Sequence, residues 1–239
     1  MEKHNVRYLM RVYPSGFRVN SSNFDPLGFW RRGVQMVALN WQTYDLGVQL
    51  NEAMFASADG KGGYVLKPKA LRGARTTFDP PSDAADAKVK KDKKQVSFSI
   101  EVISAQQLSH SGHKAEDTID PYVEVEVFSA DDKSKGTSTG EGGIDVGDSK
   151  GVSGLGAPQK RRTKVVSNDG FHPIFQEKMK FGLVTKFEDL VFVRFSVYNS
   201  EGGDDKSLIA TYTAKLVSLQ QGTPLSTALY LSSFANAVP

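Results

Sequence analysis

The chemistry-bearing residues nearest the start of the chain are Arg11 and Tyr13, in the stretch MRVYPSGFRVNSSN (residues 10–23). A guanidinium presents a rigid fork of N–H donors that matches a phosphate or carboxylate two bonds at a time. Residues two apart in a strand point to the same side, so a phosphate held by Arg11 leaves Tyr13 beside it, where a sugar ring can pack. The competing reading is a strand-end salt bridge for Arg11 and ordinary packing for Tyr13. The Asn-Ser-Ser-Asn run at 20–23 suits a turn and a cap for the helix that follows. Histidine is the usual acid–base group near neutral pH, but His4, His110, His113 and His172 are scattered, and the HSGH spacing has no further donors nearby. Solvated or structural roles are expected for all four. Cysteine is absent, which removes a thiol nucleophile, a Cys-based metal site and a disulfide framework, and suits a reducing compartment.

The elements that must position Arg11 and Tyr13 are short. Residues 7–13 alternate as a strand, and PSG then turns the chain. A short helix is predicted over DPLGFWRRG (25–33), with Asp25 as N-cap and Pro26 at the first helical position. VQMVALN (34–40) is a continuous apolar run of the kind a buried parallel strand shows. The stretch at 63–73 closes this part, and 74–94, rich in Pro, Asp, Ala and Lys, reads as a linker. From residue 95 the period changes to two: QVSFSIEVISAQQL, PYVEVEVF, KMKFGLV, LVFVRFSVY, SLIATYTAKL and TALYLSS follow one another between turn residues, the pattern of an antiparallel sandwich. Residues 129–162, rich in Gly and Ser, read as a disordered insert between two strands.

Composition is that of an ordinary globular protein, with 39% hydrophobic and 24% charged residues over 239 positions, so one large or two modest cores are possible. No apolar run approaches the roughly 18 to 20 residues that span a bilayer, and no signal-peptide core opens the chain. Membrane contact is expected to be peripheral, from the cytoplasmic side. The formal charge is +3, with basic clusters at KVKKDKKQ (88–95) and PQKRRTK (158–164) that could meet acidic lipid. No nucleic-acid module accompanies them, so nucleic acid is not an expected partner.

RVYPSGFRVNSSNFDPLGFWRRGVQMVALNWQT followed by GGYVLKPKALR resembles the end of the Y half of eukaryotic phosphoinositide-specific phospholipase C, over about residues 4–73. The following DPYVEVEV, NDGFHPIF and LVFVRFSVYN resemble the C2 domain that succeeds the catalytic barrel in that family. The resemblance implies an α/β TIM-barrel fragment, last strands only, followed by an all-β antiparallel C2 sandwich. The boundaries are 1–73 for the barrel part, 74–94 for the linker and 95–236 for the C2 domain with its insert at 129–162; residues 95–236 are expected to fold alone. A whole barrel takes about 250 residues. In the family, cleavage of phosphatidylinositol 4,5-bisphosphate to diacylglycerol and inositol trisphosphate uses two histidines and a calcium ion from the X half. No histidine here matches that pair, so this chain is expected to be inactive until an X half is supplied.

The resemblance gives Arg11 the role of binding a headgroup phosphate, Tyr13 that of packing on the inositol ring, and Phe17 a place on an apolar rim that dips into an anionic phosphoinositide membrane. It also maps a C2 calcium site onto Asp120, Asn168, Asn199 and Glu201. Calcium takes six to eight hard oxygen ligands, usually several carboxylates. Here NSE (199–201) stands where related sequences often carry Asp-x-Asp, with Asp204 and Asp205 close by. Attachment to anionic lipid through Lys160, Arg161, Arg162 and Lys164, with little calcium dependence, is the expectation. The alternative is a non-enzymatic C2 protein that binds lipid or protein and keeps a barrel remnant.

Overall fold

The computed structural model describes residues 2–56, 63–68, 71–72, 93–108, 119–131, 144–145, 159–202 and 205–219. Most of the linker and of the 129–162 insert, His110, His113, Asp204 and the TALYLSS run lie outside the described residues.

The first part runs α1 (Glu2–Asn5), β1 (Arg11–Val12), α2 (Leu27–Trp30), β2 (Met36–Val37) and α3 (Leu46–Phe55). β1 and β2 are parallel, with Arg11 opposite Met36 and Val12 opposite Val37. Both strands are much shorter than their apolar runs, because Leu39 and Val34 bury as irregular segments rather than as ladder residues. Asp25 caps α2 as its sequence suggests: its Oδ1 accepts the Leu27 N–H at 2.9 Å. α3 is an addition to the predicted elements. Asp45 starts it, its side chain accepting from the N–H groups of Gly47 and Val48.

The second part is a sandwich of antiparallel sheets. β3 (Lys94–Ser104) pairs with β7 (Ile174–Thr185), and β5 (Ile144–Asp145), β6 (Gln159–Arg162), β4 (Pro121–Ser129), β8 (Val191–Gly202) and β9 (Asp205–Lys215) form the other sheet in that order. Alternation sorts the side chains. Val123, Val125 and Val127 of β4 and Val191, Val193 and Val197 of β8 meet Met179, Phe181 and Leu183 of β7 between the sheets. On the outer face stand Tyr122, Glu124, Glu126 and Phe128 of β4, with Phe192, Arg194, Ser196 and Tyr198 of β8 opposite them.

That outer face is not left to water. Phe128 and Phe192, with Phe187, Leu190 and Ala130, form one buried cluster with Leu27, Trp30, Leu50, Ala53, Met54 and Leu71 of the first part. Trp30 lies stacked on Phe192 at 6.0 Å and edge-on to Phe55 at 6.3 Å. Two polar bonds flank the seam: Arg31 Nη1 donates to the Ala130 carbonyl and Arg194 Nη1 to Gln49 Oε1, both at 3.4 Å. Among the described residues the barrel part and the sandwich therefore share a core, in which the first part covers an apolar face of the sandwich.

Two ends of the 129–162 stretch are ordered structure, not insert. Asp131, 8% exposed, accepts from Ser129 Oγ, Thr185 Oγ1 and the Lys186 N–H, clamping the end of β4 to the end of β7. Residues 159–162 are strand β6, pairing with Glu124–Val127 of β4. A Lys-Arg-Arg run reads as solvated because its partners, Glu124 and Glu126, are more than thirty residues away in sequence. Among the described residues, no helix is long and apolar enough to cross a membrane.

Candidate functional site

Arg11 and Tyr13 are both exposed, Tyr13 at 71%, while Val12 between them packs into a small core with Phe24, Leu39 and Val48. Alternation thus puts the guanidinium and the phenol ring on one open side at the end of β1. Four residues on, Phe17 is 95% exposed at the tip of the following turn, with Val19 at 90%. A guanidinium, an aromatic ring and an apolar tip on one solvent-facing loop form an amphipathic rim, able to hold an anionic ring compound while touching an apolar phase.

The polar run after this turn is what holds it. Asn23 donates from its backbone N–H to Asp45 Oδ2 at 2.8 Å and from Nδ2 to the Asn40 carbonyl at 3.0 Å, and its Oδ1 accepts the Asn40 N–H. Asn40 Nδ2 returns a bond to the Ser21 carbonyl at 3.1 Å, and Ser21 takes a positive φ of 52°. Arg18 closes the base of the loop on the Asn23 carbonyl at 2.9 Å. The cap of α3 and the anchor of the rim are one network. Gly47 is part of it: a Cβ there would stand 2.9 Å from Asn23 Cβ and from the Phe24 carbonyl oxygen, so only glycine lets α3 begin beneath Asn23. The 20–23 run is structural, but its partners lie at 40 and 45 rather than in the next helix.

At one end of the sandwich, the structure brings Asp120, Asn168 and Asn199 together. Asn199 Oδ1 accepts the Asp120 N–H at 2.8 Å, and Asp120 Oδ1 accepts the Asn168 N–H at 2.7 Å. The Ser200 N–H reaches the Asp120 carbonyl at 3.0 Å. Glu201 follows on the exposed β8–β9 hairpin, whose Gly202 has φ 94°. Oxygens that would face a cation are thus aimed at backbone N–H groups, where they pin three segments to one another. Among the described residues no three His, Cys, Asp or Glu side chains gather as a metal would require. Arranged in this way, the described donors do not fit calcium, which takes six to eight oxygens.

The basic run at 158–164 is also spent within the fold. Lys160 Nζ lies 2.9 Å from Glu124 Oε2 and 3.7 Å from Glu126 Oε1; Arg194 pairs with Glu126, and Lys206 donates to Glu124 Oε1 at 2.7 Å. Glu124 is 1% exposed and lies between two of these cations, Lys160 and Lys206. Arg162 lies over the Tyr122 ring and Lys206 over Tyr198. Of the four residues expected to face lipid, Lys160 is ion-paired and Arg162 lies on a tyrosine ring, Arg161 is buried, and Lys164 is exposed. Of the described histidines, His4 packs on Tyr8 and His172 on Phe171.

The fold defines a class: a short parallel-strand unit with an exposed loop that carries Arg11, Tyr13 and Phe17, packed onto a C2-type sandwich. Residues 1–70 match the family described as phosphatidylinositol-specific phospholipase C, Y domain, and residues 96–143 and 154–231 match the C2 domain. The 1-phosphatidylinositol 4,5-bisphosphate phosphodiesterase 1 of Candida albicans is 39% identical over 234 residues, covering 93% of this chain and 20% of that protein. The human delta-1 phosphodiesterase is 33% identical over 220 residues, covering 92% and 25%. The crystal structure of S. officinalis PLC21 superposes with a TM-score of 0.60 at 29% identity, covering 90% of this chain and 23% of that one. The chain belongs to the phosphoinositide-specific phospholipase C family, and it spans about a quarter or less of the length of the relatives it matches.

Proposed function

We propose that this chain supplies the substrate-positioning and membrane-facing part of a phosphoinositide phospholipase C. The reaction of that enzyme is the cleavage of phosphatidylinositol 4,5-bisphosphate into diacylglycerol and inositol trisphosphate. The observation that carries the reading is the common exposed face of Arg11 and Tyr13 at the end of a parallel strand, with Phe17 beside it. Arg11 holds a ring phosphate through paired N–H donors, which fixes the register of the inositol ring. Tyr13 packs on the ring face, and Phe17 enters the acyl region so that the headgroup is presented while the lipid stays in its bilayer. Orientation of this kind lowers the entropic part of the barrier before any bond changes.

The bond-changing groups come from an X half. There the inositol 2-hydroxyl attacks phosphorus, one histidine taking its proton and a second giving a proton to the leaving diacylglycerol oxygen, and water then opens the cyclic phosphodiester so formed to give inositol trisphosphate. A calcium ion bound by that half would supply charge stabilisation to the reaction. The shared core of the barrel part and sandwich supports a further role for this chain, as a rigid mount that sets the rim against the membrane. Mixing the purified 239-residue chain with a purified X half of a relative tests the reading. Release of inositol trisphosphate by the mixture and by neither component alone is expected; release by this chain alone, or none from an assembled complex, overturns it.

A further inference from the structure

Cross-strand register puts Thr211, Thr213 and Lys215 of β9 opposite Ser196, Arg194 and Phe192 of β8. All six belong to the outer face of the sheet, the face that α3 packs against. Between α3 and this row of β9 lies a cavity of about 200 Å³, lined by Gln49, Glu52, Ala53 and Ala56 from the helix side and by Thr213 and Lys215 from the strand. It is smaller than the roughly 300 Å³ at which ordinary ligand pockets begin, and of a size for one small molecule or one side chain.

The polar groups in this cavity are under-used. Lys215 is 8% exposed, and among the described residues no carboxylate lies within ion-pair distance of it. Thr213 Oγ1 is buried with no hydrogen-bond partner. Glu52 shares the lining, but its Oε2 accepts the Tyr44 hydroxyl at 2.9 Å, and the Gln49 Oε1 is taken by Arg194. A buried ammonium without a counter-charge and a buried hydroxyl without a partner each cost free energy that a ligand can recover. Burial pushes the Lys215 ammonium below its ordinary range, opposed only by the more distant Asp189. The two residues lie two apart on one strand, so their side chains share a face, and both line the cavity.

We propose that the cavity between α3 and β9 is a binding site for a small oxyanion, a carboxylate or a phosphate, held by the Lys215 ammonium and the Thr213 hydroxyl. The anion restores the charge balance of Lys215 and gives Thr213 its acceptor, with the alanines of α3 forming the apolar wall. Because the cavity is walled by both parts of the chain, an occupant also ties α3 to the sheet edge. This site is separate from the Arg11 rim, which lies at the end of β1.

The test is titration of the isotope-labelled full chain with inorganic phosphate and, separately, with acetate, following amide resonances of residues 49–56 and 211–218. Saturable shifts confined to these two segments are expected, and the stronger of the two anions identifies the chemistry. Lys215→Met should weaken binding about tenfold or more, as loss of a charged bond does, and the isosteric Thr213→Val should weaken it by a smaller factor. Lys186→Met, at an exposed lysine, should leave it unchanged. No saturable shift with either anion overturns the proposal, as do shifts that survive both Lys215→Met and Thr213→Val. Binding that is seen only after Glu52→Gln also overturns it, because it makes Glu52 the resident anion.

Discussion

Replacing Trp30 with alanine should destabilise the sandwich as much as the barrel part, although Trp30 belongs to a four-residue helix sixty-odd residues before the first strand of that sandwich. Trp30 is 4% exposed and packs on Phe192 of β8 and Phe55 of α3, inside the cluster that joins the two parts. Truncating a buried aromatic to alanine removes its transfer free energy and leaves a cavity, together about 3 to 5 kcal/mol. The stacked ring pair adds about 0.5 to 1.5 kcal/mol within that figure. Against a net stability of about 5 to 15 kcal/mol for a domain, such a loss moves the whole transition. Urea unfolding followed by far-UV circular dichroism, dominated by the strands, gives the sandwich; aromatic fluorescence of the wild type gives the seam, since Trp41, the only other tryptophan, is 62% exposed. Coincident wild-type transitions, and a circular dichroism midpoint lowered by Trp30→Ala with unchanged slope, are expected. A sandwich transition that Trp30→Ala leaves in place would refute the shared core, and with it the rigid mount.

Asp25 is held at a pKa of about 6, above the ordinary 3.8, chiefly because burial disfavours its charge and despite the Leu27 N–H it accepts. A carboxyl whose folded pKa is raised binds more protons folded than unfolded between about pH 4 and 6, so stability falls as pH rises through that window. Asp25→Asn keeps the capping oxygen and should raise stability at pH 8 by at most about 3 kcal/mol, at 1.36 kcal/mol per unit and less for partial exposure; equal denaturation midpoints for the two proteins at pH 8 would contradict this. On vesicles containing anionic lipid, the full chain should pellet equally with calcium or chelator. Raising ionic strength from about 0.1 M to about 1 M, which shortens the Debye length from about 10 Å to about 3 Å, should release it. Pelleting abolished by chelator and restored by calcium would show that Asp120 and its neighbours rearrange into an ion cage.

The strands of the sandwich were legible because apolar residues recur at every second position, Val123, Val125 and Val127 in β4 and Val191, Val193, Phe195 and Val197 in β8, and a period of two marks a strand. That same alternation misled in one respect. PYVEVEVF reads as a strand with one face in water, yet Glu124 and Glu126 are buried, since Lys160, Arg194 and Lys206 from three other strands lie over them. Charge compensation between distant segments leaves no local trace, and β6 was missed for the same reason. α3 was hidden differently: LGVQLNEAMF carries its apolar residues at 46, 48, 50, 53, 54 and 55, a mixed period, and only the Asp45 cap two residues before Gly47 marked its start. In the rim, the i and i+2 relation of Arg11 and Tyr13 could be read directly. The role of Asn23 could not, because its partners Asn40 and Asp45 lie 17 and 22 residues on.

The central claim is that Arg11 reads a phosphate on the inositol ring. With an X half supplied, Arg11→Ala should be compared with wild type on phosphatidylinositol 4,5-bisphosphate and on phosphatidylinositol, as the ratio of kcat/KM values for the two lipids. A charge-assisted phosphate contact is worth about 1.5 to 3 kcal/mol, so the ratio should fall by about 10-fold to 150-fold while turnover of phosphatidylinositol itself changes little. An equal loss on both lipids would place Arg11 in the scaffold and contradict the account.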